Sequence, residues 1–291
     1  MIRLLLSLGL AALSLSAKTV VVVTADASDY ILAAGGTLAS MIAQGDKAIL
    51  IRVTNDDKDS WQLDPEETAR RVRTESEQAA KILGIEKVIP LGYRAGELAG
   101  VSPTELRDRI MFYVRLHKPD VMFIPNPYAE YVEALDRHYT GMAAEEARRT
   151  AALANHQLAF AQAGLQTHAT PELYYYAQPV DPRRREAEST DTFVPQPKVL
   201  DISGSLEKKI RAAQALKTIN YSLAHRIRQR LDASGRRLAL LERIDDASVN
   251  KLTETNVRGL AALCAKDSNF REAEEFHYAG KDYQVPKKLR R

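Results

Sequence analysis

The chain has 291 residues, of which 45% are hydrophobic and 27% are charged, and its formal net charge is +3. This is the balance of an ordinary globular protein, and so weak a charge gives no reason to expect nucleic acid as a partner. A single cysteine, Cys264, excludes a disulfide bond within the chain.

The N-terminal segment has the pattern of a secretory signal peptide. Arg3 supplies a positive charge, Leu4–Leu15 form an apolar run, and small residues end at Ala17. The apolar run is short for a membrane span. We predict cleavage near Ala17, a secreted or periplasmic domain at 18–291, and no membrane span after cleavage. An uncleaved N-terminal anchor is the alternative.

Strand and helix signals then alternate along the first half of the chain. Apolar runs predict strands at 18–23, 47–53, 87–92 and 119–125. Helical patterns occur at 31–44, 65–83, 103–117 and 138–164. Because the strands are almost continuously apolar, they indicate a sheet covered on both faces. The expected fold is therefore α/β and Rossmann-like, with a mostly parallel sheet and helices on both faces.

The second half of the chain predicts additions to this domain. PELYYYAQ and KVLDIS have the composition of strands, and the polar segment Pro179–Pro197 between them predicts a long surface loop. One long helix is expected from Leu206 to about Leu231. We predict a single domain with C-terminal elaborations.

The loops after the first and fourth strands contain the candidate site. In a doubly wound sheet these loops lie side by side where the strand order reverses, and ligands bind there. The first loop contains Asp26 and Asp29, and the fourth ends at His138. Two carboxylates and an imidazole are suitable ligands for an open catalytic zinc. As an alternative, either aspartate caps the following helix and His138 forms a hydrogen bond in a first helical turn.

A series of segments along the chain carries a further signal. They are AAGGTLASMIAQGD, VTNDD, RTESEQAAKILGI, PLGY, HKPDVMFIPNP, HYTG, VLDISGSLEKKIRAAQAL and REAEEF. From about Lys18 to Phe276, the sequence resembles the PIG-L or LmbE-like de-N-acetylases, which include N-acetylglucosaminyl-phosphatidylinositol and mycothiol-pathway deacetylases. The resemblance implies an α/β hydrolase in which a zinc-bound water attacks an acetamide carbonyl.

The first motif of that family departs from its usual form here. The family reads His-Pro-Asp-Asp-Glu, and those positions are Asp26, Ala27, Ser28, Asp29 and Tyr30. The resemblance thus implies that Asp26 replaces a ligand histidine, that Ser28 replaces the general base, and that Asp29 keeps its role as a ligand. Asp26 is the candidate to act as ligand or as base.

The second motif, His-Pro-Asp-His, falls on the segment from Leu135 to His138. The resemblance implies that His138 is a metal ligand and that Leu135 replaces a histidine expected to polarise the oxyanion. Ala95 occupies the place of an aspartate that contacts the sugar. Arg73 matches an arginine near the substrate, and Asp56 is the second substrate-binding candidate.

These departures affect the metal and the chemistry in different ways. A site of Asp26, Asp29 and His138 would favour Zn²⁺ less sharply and would tolerate Mn²⁺ or Ca²⁺ better. Loss of the base removes a contribution of about 10²–10⁴-fold to the rate. Asp136 and Asp56 are candidates to replace it.

The sequence therefore leaves three functions open. One is an exported amide hydrolase that acts on an N-acetylated sugar or related amide through an altered metal site. Another is a pseudoenzyme that keeps the fold and binds a glycan or partner without turnover. The third is a structural Ca²⁺ or Mn²⁺ site. A small molecule or glycan is the expected ligand.

Overall fold

The computed structural model describes residues 17–128, 135–178 and 196–280. Residues 1–16 of the predicted signal segment and residues 179–195 of the predicted loop Pro179–Pro197 lie outside the described residues. The last two residues predicted as loop, Gln196 and Pro197, instead begin a strand. Within those three ranges, no helix is both long and apolar enough to cross a membrane.

A mixed sheet of seven strands forms the centre of the described fold. Its strands are β1 (Thr19–Thr24), β2 (Lys47–Thr54), β3 (Lys87–Tyr93), β4 (Val121–Pro125), β5 (Glu172–Tyr176), β6 (Gln196–Asp201) and β7 (Ala273–Ala279). The order is β3-β2-β1-β4-β5-β7-β6. Strands β1 to β5 are parallel, whereas β7 is antiparallel to both β5 and β6. The predicted α/β fold with a mostly parallel sheet is confirmed.

Helices cover both faces of this sheet. They are α1 (Asp29–Ala43), α2 (Pro65–Leu83), α3 (Pro103–His117), α4 (Leu135–Ala151), α5 (Leu158–Gln162), α6 (Leu206–Gln214), α7 (Lys217–Ala233) and α8 (Asp246–Ala265). In β1, Val20 and Val22 pack with α1, α2 and α6, while Val21 and Val23 pack with α3 and α4. Alternate side chains of one strand thus enter two separate cores, which explains why its sequence is apolar throughout.

Helix α2 has the bounds that its sequence predicts, because strong local signals stand at both ends. The Asp64 side chain accepts a hydrogen bond from the backbone N–H of Glu67 at 2.9 Å and caps the first turn. Pro65 fits the first helical position. Gly84 ends the helix in the left-handed conformation, with φ 94°.

The helix expected over 138–164 is wrong in its second half, because it is interrupted between α4 and α5. The buried guanidinium of Arg115 donates hydrogen bonds to the carbonyls of Ala151, Leu153 and His156. These carbonyls turn toward Arg115, and the chain leaves the helical path after Ala151. The local helical pattern contains no sign of this distant partner.

The helix expected from Leu206 to about Leu231 is also two helices. The break falls between α6 and α7, where the side chain of Leu216 is buried in the core. The carboxylate of Glu75 on α2 accepts hydrogen bonds from the backbone N–H and hydroxyl of Thr218, at 2.9 and 2.8 Å. A new helix therefore begins under a cap supplied by another element.

Two contacts hold the helices that flank the candidate site. A Cβ atom added at Gly141 of α4 would lie 2.5 Å from the carbonyl oxygen of Pro125, so α4 packs closely against the end of β4. On the other side, Glu274 of β7 accepts the backbone N–H groups of Gly36 and Thr37 in α1, each at 2.8 Å. The Lys209 ammonium lies 2.7 Å from Glu274, and both side chains are buried.

Candidate functional site

The strand order reverses at β1, as the site prediction requires. Strand β1 pairs with β2 on one side and with β4 on the other, in parallel in both cases. Because the carboxyl ends of parallel strands meet at one edge, the loop after β1 and the first turn of α4 come together there. Asp26, Asp29 and the residues around His138 are thus on neighbouring segments.

Asp26 caps the beginning of α1. Its Oδ1 atom accepts hydrogen bonds from the Ser28 N–H at 2.9 Å, the Ser28 hydroxyl at 2.8 Å and the Asp29 N–H at 2.8 Å. This is the helix-capping interpretation of Asp26, and the described contacts support it. The Ser28 hydroxyl, which occupies the family's base position, is engaged in the same cap.

Arg137 lies between the two carboxylates. Its Nε is 3.0 Å from Asp26 Oδ2 and 3.4 Å from Asp29 Oδ1. The Arg137 side chain is 27% exposed, that of Asp26 17%, and that of Asp29 3%. Its terminal Nη1 and Nη2 atoms make no hydrogen bond with any part of the chain that the structure describes. The cation that neutralises these acids is therefore a side chain of the protein.

The charges of this cluster shift its pKa values. Burial acts to raise the pKa of Asp26, but the Arg137 charge and the hydrogen bonds from Ser28 and Arg137 together lower it below the usual value. Burial acts to lower the pKa of Arg137, and the charges of Asp26 and Asp29 outweigh it, so that this pKa is raised. Both shifts favour the ionised pair.

The remaining predicted ligand, His138, has a different neighbour. Its Nδ1 lies 3.2 Å from the carbonyl oxygen of Pro127, and its ring contacts Tyr139 edge to face. Asp29 Oδ1 also accepts a hydrogen bond from Gln178 Nε2 at 3.1 Å. Among the described residues, no three His, Cys, Asp or Glu side chains are grouped so that they could hold a metal ion.

The arrangement of these side chains does not fit a divalent cation. Asp26 directs one oxygen to backbone and hydroxyl donors and the other to Arg137. A guanidinium and a metal ion are both positive, so they would repel each other at the same carboxylates. The ligand set Asp26, Asp29 and His138 stays a prediction.

Asp56, a predicted substrate-binding residue, is fully buried behind the first loop. Its Oδ1 accepts the Ala27 N–H at 3.1 Å, and its Oδ2 lies 3.5 Å from Arg52 Nη1. Burial raises its pKa well above the usual value, although the Arg52 charge opposes this. Asp59 lies with Asp56 in the loop between β2 and α2, and burial and the Asp26 charge raise the pKa of Asp59 to about 6. Asp56 thus holds the loop after β1 in place through its hydrogen bond with the Ala27 backbone.

Two other acids connect the loops of this edge. Asp136 accepts the backbone N–H groups of Gly96 and Leu98, at 2.5 and 3.3 Å. Asp57 accepts the Ala95 N–H and the Arg94 Nε–H, both at 3.0 Å. The side chain of Asp136 is therefore directed toward the loop after β3, and it is not held against Asp26 or Arg137 as a base.

Two other predicted positions are exposed to solvent. Leu135, at the position of the family's oxyanion histidine, is 56% exposed. Arg73 lies on the exposed face of α2 and makes no hydrogen bond or ion pair with the described residues. The structure brings together Asp26, Asp29 and the first turn of α4, which contains Leu135, while Arg73 stays a predicted substrate-binding residue.

Arg137 is the site residue that sequence reasoning missed. A signal was present, since Arg137 stands where the family motif His-Pro-Asp-His has its aspartate. Compared with the family motifs, Arg137 replaces an aspartate, and Asp26 in the facing loop replaces a histidine. Read as a pair, the two changes indicate an ion pair between Arg137 and Asp26.

Comparisons with known proteins agree with this architecture. The family profile described as PIG-L, GlcNAc-PI de-N-acetylase, matches residues 21–151, which extend from β1 to the end of α4. A diacetylchitobiose deacetylase of Thermococcus kodakarensis is 25% identical over 200 residues, which are 68% of this chain and 68% of that protein.

Solved structures share the fold over most of the chain. The N,N'-diacetylchitobiose deacetylase of Pyrococcus horikoshii superposes with a TM-score of 0.70 at 22% identity, over 90% of this chain and 84% of its own. The 4-carboxy-2-hydroxymuconate hydratase GalB of Pseudomonas putida KT2440 gives 0.64 at 17% identity, over 92% and 99%. The profile match over residues 21–151 shows that this chain contains a PIG-L domain, and the sequence relative and the shared fold bear out its resemblance to the LmbE-like deacetylases.

Proposed function

We propose that this chain binds an N-acetylated sugar at the carboxyl edge of its sheet and does not hydrolyse it by the family's metal-dependent reaction. The observation that carries the proposal is the contact of Arg137 Nε with Asp26 Oδ2 at 3.0 Å and with Asp29 Oδ1 at 3.4 Å. The protein's own cation holds the two carboxylates that a metal would need.

In the described parts of the chain, none of the predicted replacements for the general base is held beside Arg137. Ser28 occupies the base position, and its hydroxyl donates to Asp26. Asp136 and Asp56, the candidates to replace it, accept backbone N–H groups of other loops. A positioned base contributes about 10²–10⁴-fold to such reactions. Without it, binding of an amide is a better-supported role than its hydrolysis.

The orientation of Arg137 indicates what the site binds. Its Nε faces the carboxylates, and the terminal nitrogens, which carry four N–H donors, bond to none of the described residues and can therefore donate to a ligand. Two carboxyl groups face this one guanidinium, so the cluster carries no excess of positive charge that would select an anion. A neutral acceptor such as the carbonyl oxygen of an acetamide is the ligand group that suits these donors.

The family relationship supports a sugar as the carrier of that acetamide. The Thermococcus relative and the Pyrococcus structure are both named as deacetylases of diacetylchitobiose, a disaccharide with two N-acetyl groups. A chain that keeps the fold and gains a donor in place of a metal would retain recognition of the acetyl group. GalB has the same fold but is named as a hydratase, which is a different class of enzyme from a deacetylase.

The test compares N-acetylglucosamine with glucosamine in calorimetric titrations of the full chain. We expect N-acetylglucosamine to bind and glucosamine to bind at least about tenfold more weakly. Arg137→Met keeps the length of the side chain without its donors. This variant should bind N-acetylglucosamine at least about tenfold more weakly than the wild type does. Arg71→Met, which changes an exposed arginine paired with Glu67 on α2, is the matched control and should bind as the wild type does.

Metal content and acetate release complete the test. The wild type, purified without chelator and then loaded with Zn²⁺ or Mn²⁺, should retain far less than one metal ion per chain. It should release no acetate above background from N-acetylglucosamine or diacetylchitobiose. One equivalent of metal together with acetate release would overturn the proposal in favour of the metal-dependent hydrolase, with Asp26, Asp29 and His138 as its ligands.

A further inference from the structure

Trp61 is an exposed aromatic side chain outside the cluster of Asp26, Asp29 and Arg137. It lies in the loop between β2 and α2, and it is 43% exposed. Its ring stacks on that of His225 in α7, with centroids 5.6 Å apart and an angle of 6° between the ring planes. One face of the indole is thereby covered, and solvent reaches the remainder of the side chain.

The backbone around Trp61 connects it to the candidate site. Asp56 accepts the Ala27 N–H beside Asp26, and the Asp59 N–H donates to the Asp56 carbonyl at 3.1 Å. Trp61 follows Asp59 by two residues, so their Cα atoms are at most about 7.6 Å apart. The charge of Asp26 also acts on Asp59. Trp61 therefore belongs to the loop at the carboxyl end of β2, which is the same edge of the sheet as that of Asp26 and Arg137.

Both sides of the stacked pair are held by fixed elements. The Ser60 hydroxyl oxygen accepts the N–H groups of Gln62 and Leu63, at 3.3 and 3.1 Å, which fixes the turn before α2. Helix α7, which carries His225, begins under the Glu75 cap of Thr218. A ring held in place before the ligand arrives loses little conformational entropy on binding.

The surroundings of the indole suit a carbohydrate. The face of an aromatic ring carries negative charge density, and the C–H groups on one face of a pyranose are weakly positive and apolar. Asp59, Ser60 and Gln62 lie beside it in sequence, and the exposed Arg226 follows His225, so hydroxyl groups of a sugar would find hydrogen-bonding partners.

We propose that Trp61 is the stacking platform for a second sugar ring, adjoining the unit whose acetamide Arg137 binds. This inference rests on the proposed function and narrows its ligand to a glycan of at least two units. His225 is a positioning residue, because it supports the indole from the covered face. The ligand thus extends from the guanidinium of Arg137 to the loop between β2 and α2.

Calorimetric titration of the full chain with N-acetylglucosamine and with N,N'-diacetylchitobiose tests this inference. We expect the wild type to bind the disaccharide about tenfold more tightly than the monosaccharide. Trp61→Ala should abolish this preference and leave monosaccharide affinity unchanged. Phe270→Ala, at another aromatic residue that is 41% exposed, is the matched control and should keep the preference. His225→Ala should partially reduce the preference for the disaccharide over the monosaccharide.

Fluorescence gives a second measurement, because Trp61 is the chain's only tryptophan. The disaccharide should change its emission, whereas the monosaccharide should leave it nearly unchanged. An unaltered disaccharide preference in Trp61→Ala, or disaccharide binding without any change in emission, would overturn this inference and leave the proposed function standing. If neither sugar binds to the wild type, the proposed function fails and this inference fails with it.

Discussion

Arg137 and Asp26 are 111 residues apart in sequence, and their side chains meet at 3.0 Å at the carboxyl edge of the sheet. The resemblance leads one to expect a histidine at the position of Asp26 and an aspartate at the position of Arg137. The two departures are complementary in charge. This contact places a guanidinium between Asp26 and Asp29.

Restoring the family motif should restore metal binding only when Arg137 is also replaced. The triple variant Asp26→His, Ser28→Asp and Leu135→His keeps the guanidinium beside Asp29, and we expect it to bind zinc poorly. Addition of Arg137→Asp should allow about one zinc per chain and measurable acetate release from N-acetylglucosamine. Elemental analysis and an acetate assay check this. Equal zinc content in the triple and quadruple variants would show that Arg137 does not hinder the metal.

The buried pair of Lys209 and Glu274 should be a major contributor to stability. Lys209→Met leaves the Glu274 charge buried without its cation, and we expect a loss of about 3–5 kcal/mol in the free energy of unfolding. Lys217→Met breaks an exposed pair with Asp246 and should cost less than about 1 kcal/mol. Urea denaturation measures both. Similar losses in the two variants would contradict the assigned role.

Gly141 should tolerate no side chain, because α4 approaches β4 so closely. Gly141→Ala places a Cβ atom 2.5 Å from the carbonyl oxygen of Pro125 and must displace one of them. We expect a loss of about 1–3 kcal/mol in unfolding free energy, with weaker sugar binding because Arg137 lies on the same helix.

The matched control for this change is another helical glycine. Gly259 is exposed in α8, and a Cβ atom there meets nothing within 4 Å. Gly259→Ala should therefore stabilise the protein by about 0.5–1 kcal/mol. Thermal denaturation of the two variants should give shifts of opposite sign, and a stabilising Gly141→Ala would refute the close packing.

The stability of the protein should fall as Asp59 ionises. Its pKa in the folded protein is raised to about 6, from an ordinary value of 3.8, by burial and by the charge of Asp26. The folded state therefore binds this proton more tightly than the unfolded state does, and stability is lost as the pH rises through this interval. Asp59→Asn cannot ionise, so it should be more stable than the wild type by about 3 kcal/mol near pH 8.

Urea denaturation at a series of pH values checks the Asp59 prediction. The two proteins should converge toward about pH 4, where Asp59 is protonated in the folded state. Asp232→Asn, at an exposed carboxyl group of α7, should change stability by less than about 0.5 kcal/mol throughout. A constant difference between Asp59→Asn and the wild type across the pH range would exclude ionisation of Asp59 as its cause.

The sequence by itself determined the features that depend on neighbouring residues. The apolar run of β1 predicts a strand buried on both faces. The bounds of α2 follow from Asp64 and Pro65 at one end and Gly84 at the other. The family resemblance and the α/β fold follow from many such local segments together, and the strand pattern is sufficient to place the loops of Asp26 and His138 at one edge.

Tertiary structure decided the features that depend on partners far away along the chain. Arg115 interrupts the helix after Ala151, and Glu75 caps the helix that begins near Thr218. Neither contact can be predicted from the local helical pattern of the sequence. The contact of Arg137 with Asp26 and Asp29 is of the same kind. Spacing in sequence shows which acids share an edge, but the identity of the cation between them depends on the direction of one side chain from a facing helix.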